Sequence, residues 1–61
     1  MDRGQHVRVK TYGGKYVNRV VWSDQERGIL ICTEEGFARA QREEYEPVCV
    51  GFPREDVKPI D

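Results

Sequence analysis

Val48-Cys49-Val50-Gly51-Phe52-Pro53-Arg54-Glu55-Asp56-Val57-Lys58-Pro59-Ile60 is the stretch on which the reading of the fold turns. Val48, Val50 and Phe52 alternate with Cys49 and Gly51, the period-2 pattern of a β-strand. Pro53 has no N–H for a ladder and stops the strand, and Arg54-Glu55-Asp56 suit one turn of 3-10 helix. Val57 to Ile60 resumes as a short last strand, where Pro59 is tolerable only at a sheet edge. This ending implies an all-β chain whose tail seals the sheet.

The segments before it read as further strands. Gln5 to Tyr12 alternates, with Val7 and Val9 on one face and His6, Arg8, Lys10 and Tyr12 on the other. Gly13-Gly14 can take the positive φ angles of a two-residue hairpin turn, and Lys15 to Trp22 is the return strand. Such a turn sets Tyr12 opposite Lys15, Val9 opposite Asn18 and Val7 opposite Val20. Val7, Val9, Val20 and Trp22 then line the core, while Arg8, Lys10, Lys15 and Arg19 line the outer face beside Tyr12. The same register turns Tyr16 inward, leaves Asn18 among apolar neighbours and sets Arg8 across from Arg19, a like-charge pair that costs stability.

Ser23 to Gly28 is a polar turn, Ile29 to Thr33 a β-branched strand, and Glu34-Glu35-Gly36 a type I hairpin turn. A strand over residues 37–41 follows, then a charged loop over residues 42–46 ending at Pro47. A short helix over residues 37–45 is the alternative, because Ala, Gln, Arg and Glu are strong helix formers. Phe37, Ala38, Ala40 and Tyr45 would give that helix no continuous apolar stripe. The hairpin places Leu30 and Cys32 in the core opposite Ala40 and Ala38. Val21, Ile29 and Ile31 are left as an outward aliphatic row edged by Arg19 and Arg39. Such a row is an interface or, in a small bent barrel, a second buried surface.

Five or six short strands joined by tight turns suggest a small closed or nearly closed barrel. Phe52-Pro53-Arg54-Glu55-Asp56-Val57 resembles the close of Src-homology-3 domains, in which an apolar residue and proline enter a 3-10 turn that leads to a valine of the last strand. Pro53 and Val57 match in type and spacing. The resemblance implies an SH3-like barrel. It does not extend to the peptide-binding groove of those domains: Asp56 stands where they carry a tyrosine, their Ala-Leu-Tyr-Asp-Tyr opening is missing, and Tyr12-Gly13-Gly14-Lys15 is far shorter than their first loop. That short hairpin looks more like the Tudor and ribosomal-type relatives of the barrel, which bind modified peptides, RNA or other proteins.

A chain of 61 residues is expected to form one domain. It buries only about 60% of its unfolded surface, which leaves little room for an enclosed cavity of about 300 Å³ or more. Met1-Asp2-Arg3-Gly4 is too polar to open a secretion signal and no apolar run approaches a membrane span, so a cytoplasmic protein without membrane contact is expected. Net charge is −1, but residues 1–22 hold five bases and one acid while residues 23–61 hold five bases and ten acids. The split marks a basic face for an anionic partner, or two halves that attract each other. Cys32 and Cys49 read as reduced core hydrophobes, with a disulfide the lesser alternative. With no C-x-x-C pair and His6 as the only histidine, no metal or other cofactor is expected.

Enzymatic chemistry is not expected either. His6 reads as a solvated side chain, and Glu34-Glu35 and Glu43-Glu44 are adjacent loop acids, not facing carboxylates in different environments. Gly13-Gly14 makes a turn and opens no phosphate-binding helix. Two kinds of binding module remain. The first joins another protein or its own copy through Val21, Ile29 and Ile31, extended by edge-strand pairing. The second holds nucleic acid on Arg8, Lys10, Lys15 and Arg19 with Tyr12 and Tyr16 as a stacking surface, a case weakened by the register that turns Tyr16 inward. The slightly acidic overall charge ranks the protein partner first.

Overall fold

In the computed structural model, which describes residues 1–43 and 46–60, the alternating valines of the amino-terminal segment form strand β1 (His6–Lys10). Strand β2 (Tyr16–Gln25) runs back beside it. The turn between them contains Tyr12, Gly13 and Gly14, one residue more than the expected pair. Gly14 N–H donates to the Thr11 carbonyl at 3.0 Å, and Thr11 N–H donates to the Lys15 carbonyl at 2.7 Å. Gly13 and Gly14 hold φ angles of 95° and 82°, which a side chain would strain.

That extra residue slides the register by one, and a slide of one turns every β2 side chain to the opposite face. Val9 pairs with Val17, Val7 with Arg19 and Arg8 with Asn18, in place of the expected Val9–Asn18 and Val7–Val20. The Arg8–Arg19 clash disappears, and Asn18 moves to the outer face.

β2 continues to Gln25 with a bulge between Val21 and Ser23, and a Glu26-Arg27 connection returns the chain as β3 (Gly28–Cys32). Of the two readings of the aliphatic row, interface or second buried surface, the structure shows the buried one. Val21 and Ile29 are 0% exposed and Ile31 is 2% exposed. They form the core with Val7, Val9 and Val57, against which Met1, Val17 and Phe52 pack. Each such aliphatic side chain contributes about 1.5–3 kcal/mol when fully buried.

The strand expected over residues 37–41 is instead part of helix α1 (Glu34–Glu43). Thr33 caps it: its hydroxyl oxygen accepts from Gly36 N–H at 2.9 Å while its carbonyl accepts from Phe37 N–H at 2.9 Å. Glu34 and Glu35 complement the positive end of the helix dipole, Arg42 the negative end, and Arg39 lies 3.8 Å from Glu43 one turn on. A narrow stripe suffices to seat it. Phe37 meets Trp22 edge to face at 5.9 Å and Ala40 is buried, while Ala38, expected inside, is exposed.

Beyond α1 the chain forms β4 (Val50–Phe52), the 3-10 turn (Arg54–Asp56) with Asp56 N–H donating to the Pro53 carbonyl at 2.9 Å, and β5 (Val57–Pro59). β4 pairs with β3 through Ile29–Phe52, Leu30–Gly51 and Ile31–Val50. β5 pairs with β1 through Val9–Val57, Arg8–Lys58 and Val7–Pro59. The result is mostly β: one five-stranded antiparallel sheet in the order β4-β3-β2-β1-β5, with one helix. The sheet is open, not closed as expected, because β4 and β5 remain its two edges.

The edges nevertheless lie close together. Pro53 to Asp56 must carry the chain from one edge to the other, and with a 3-10 turn inside it that link reaches on the order of 13 Å. In a flat sheet the two edges would stand about 19 Å apart. The sheet therefore curls around Val7, Val9, Val21, Ile29, Ile31 and Val57. Tight packing at the curl predicts a cost for Gly28→Ala, whose Cβ would lie 2.7 Å from the Phe52 carbonyl oxygen of β4. We expect a loss of about 1–3 kcal/mol in urea denaturation, and an unchanged midpoint would refute the contact.

Candidate functional site

The curl gives the sheet a buried inner face and an outer one, and the outer face is divided. Over β2 it is covered by α1, and Val20 and its ladder partner Cys32 on β3 are 2% and 3% exposed. Trp22, expected in the core, is partly buried beside α1. The Arg3 guanidinium lies 4.3 Å from its ring centroid, and Arg3 Nε donates to the Trp22 carbonyl at 2.7 Å. Leu30 is also only partly buried. Among the described residues, α1 packs against β2 and not over β1 or β5.

That bare half carries a row of polar residues set by the ladder: Asn18 on β2, Arg8 on β1 and Lys58 on β5. Tyr16 and Lys10 form the adjacent pair. The Lys58 ammonium stands 5.4 Å from the centroid of the Tyr16 ring, which remains 45% exposed. At the hairpin tip Tyr12 is fully exposed and Lys15 lies beside the turn. His6 begins the strand on the same face, its Nδ1 3.6 Å from a Glu34 carboxylate oxygen at the start of α1.

The lysines and arginine here have no ion-pair partner among the described residues. Among the described residues the ion pairs are Met1 amine–Asp24, Arg54–Asp24, His6–Glu34 and Arg39–Glu43, none of which involves Arg8, Lys10, Lys15 or Lys58. Asp24 sits at the far end of β2. Hydrogen bonds from the Met1 amine and the Arg54 guanidinium hold its carboxyl below the usual range. Of the acids in the second half of the sequence, Asp24 is held by the Met1 amine and Arg54, and Glu34, Glu35 and Glu43 are carried on α1.

Of the basic and aromatic residues proposed from sequence, Arg8, Lys10, Tyr12, Lys15 and Tyr16 lie on this face or at its tip. Arg19 does not. It lies on the inner side opposite Val7, donates from Nη1 to the Asn18 carbonyl at 2.8 Å, and borders a groove of about 510 Å³ walled by Val17, Ile31, Val48 and Val50. Val21, Ile29 and Ile31, the proposed protein contacts, are core residues exposed by no more than 2%. Lys58 was missed, and Tyr16, named as a stacking surface, was turned inward by the expected register. The three-residue turn hid Tyr16, and a segment as short as Val57–Pro59 gave no face to assign to Lys58.

Among the described residues no group of three or more His, Cys, Asp or Glu side chains could hold a metal ion, and no helix is long and apolar enough to cross a membrane. No protein-family profile, no curated protein and no solved structure matches the chain.

Proposed function

We propose that the chain is a small non-enzymatic binding module of the SH3-like barrel type, and that it holds single-stranded nucleic acid on the outer face of β1, β2 and β5. The observation that carries this reading is the Arg8–Lys58 row beside Tyr16 and Lys10, which takes part in no ion pair among the described residues. Ammonium and guanidinium groups pair with phosphates, and an exposed tyrosine ring offers a stacking platform for any base. The barrel type is supported by the curled sheet and by Pro53, the 3-10 turn and buried Val57 entering the last strand in that order. The net charge is slightly acidic, but among the described residues no carboxylate forms an ion pair with Arg8, Lys10 or Lys58.

A second reading keeps a protein partner but moves it. Val48 is 92% exposed and Val50, on edge strand β4, is 57% exposed, so a strand of another chain could add there.

The discriminating experiment titrates the chain into labelled single-stranded DNA and RNA across a salt series, with sedimentation on the same samples. Four cationic contacts predict that log K falls with log salt at a slope of roughly −3. A monomer with no affinity at low salt, or affinity indifferent to salt, rules the nucleic-acid face out. Concentration-dependent self-association without oligonucleotide binding favours the β4 edge.

A further inference from the structure

The two cysteines are seventeen positions apart in sequence, yet the sheet brings them to one place. The β3–β4 ladder runs Ile29–Phe52, Leu30–Gly51, Ile31–Val50, and one more step of that register sets Cys32 directly across from Cys49. Both are free thiols, Cys32 buried and Cys49 partly buried. The Cys32 sulfur lies 3.6 Å from the Val20 carbonyl oxygen and the Cys49 sulfur 3.5 Å from that of Pro47, so both rest on backbone. Each also perturbs the titration of the other.

We propose that Cys32 and Cys49 form a reversible cross-strand disulfide that clasps β3 to the run leading into β4. Residues facing one another across an antiparallel pair have Cβ atoms about 4.5–5.5 Å apart, and a disulfide needs about 3.5–4.5 Å. Closure therefore requires a movement on the order of 1 Å at the end of a three-residue strand, where the ladder has already stopped. The bond would close a loop containing α1, tying the helix and the β4 edge to the centre of the sheet.

The oxidant is a low-molecular-weight disulfide such as oxidised glutathione. The Cys49 thiolate, on the more accessible of the two, attacks one glutathione sulfur; that S–S bond breaks and one glutathione thiolate leaves. The Cys32 thiolate then attacks the Cys49 sulfur of the mixed disulfide, forming the Cys32–Cys49 bond and expelling the second glutathione. The two protons shed by the cysteines go to the two glutathione thiolates, and two electrons pass from protein to glutathione. Burial pushes Cys32 up to about 11 and raises Cys49 as well, so the dithiol is protonated at neutral pH and the exchange accelerates as pH rises.

The test equilibrates the full chain with glutathione redox buffers, once folded and once in concentrated guanidinium chloride, followed by acid quenching. Intact mass, free-thiol count and peptide mapping are then read. The folded chain should lose two hydrogens and both thiols as a monomer, with a Cys32–Cys49 peptide. Its equilibrium constant for disulfide formation should exceed that of the denatured chain by about tenfold or more. The oxidised chain should melt roughly 10 °C higher than the reduced one. A folded-state constant equal to or below the denatured one overturns the proposal, since the fold then does nothing to position the pair. Glutathione adducts persisting on either cysteine, or disulfide-linked dimers in place of the internal bond, overturn it equally.

Discussion

Val21→Glu is expected to abolish the folded state. Val21 lies in the central strand of the sheet, is 0% exposed, faces Ile31 across the ladder and packs in the cluster that contains Val7, Val9 and Val57. A carboxylate there loses its water and gains no cation, at a cost of several kcal/mol beyond the lost packing. A chain of this length has only roughly 3–9 kcal/mol of stability in total. Circular dichroism should show no cooperative melt at neutral pH. Val48→Glu, at a side chain 92% exposed, supplies the control and should shift stability by less than about 0.5 kcal/mol. A folded Val21→Glu chain that merely stops self-associating would restore the outward-row reading and undo the register described above.

The second large effect concerns the bare face. Arg8→Glu, Lys10→Glu and Lys58→Glu together should weaken binding to single-stranded nucleic acid about a hundredfold at physiological salt. They should also reduce the magnitude of the salt slope by roughly 2, three contacts at about 0.7 each. All three side chains are exposed and outside the ion pairs of the described residues, so the fold should tolerate the change. The melting temperature measured alongside separates lost binding from lost structure. The same triple reversal placed at Arg27, Arg39 and Arg42 should leave the salt slope nearly unchanged. Equal losses in both triples would mean that only net charge matters and that the β1–β5 face has no special role.

Strand content, the 3-10 turn after Pro53 and the burial of Val7 and Val9 were legible because they rest on local rules: period-2 alternation and the missing N–H of proline. The orientation of β2 was not, because it depends on whether Tyr12 belongs to the strand or to the turn. One residue decides it, and Gly13-Gly14 accommodates either choice. The error left visible traces, since Arg8 against Arg19 and Asn18 among aliphatics are local conflicts, and both vanish in the observed register. α1 was hidden for another reason. Its apolar stripe is little more than Phe37 and Ala40, so periodicity is weak, and Thr33-Glu34-Glu35 as a capped, acidic first turn was the better signal. The candidate face was legible only as far as Arg8, Lys10, Tyr12 and Lys15, because Lys58 reaches it by a pairing between distant parts of the sequence.

That distant pairing makes β5 a door as well as a wall. Strand β5 has a neighbour on one side only, through Val9–Val57, Arg8–Lys58 and Val7–Pro59, and swinging it away uncovers the valines of β1. The same swing carries Lys58 off from Arg8 and Tyr16, so opening the core and dismantling the cationic face are a single event. Any polyanion that bridges Arg8 and Lys58 would therefore hold the door shut, and occupancy of the surface would be felt as resistance to unfolding.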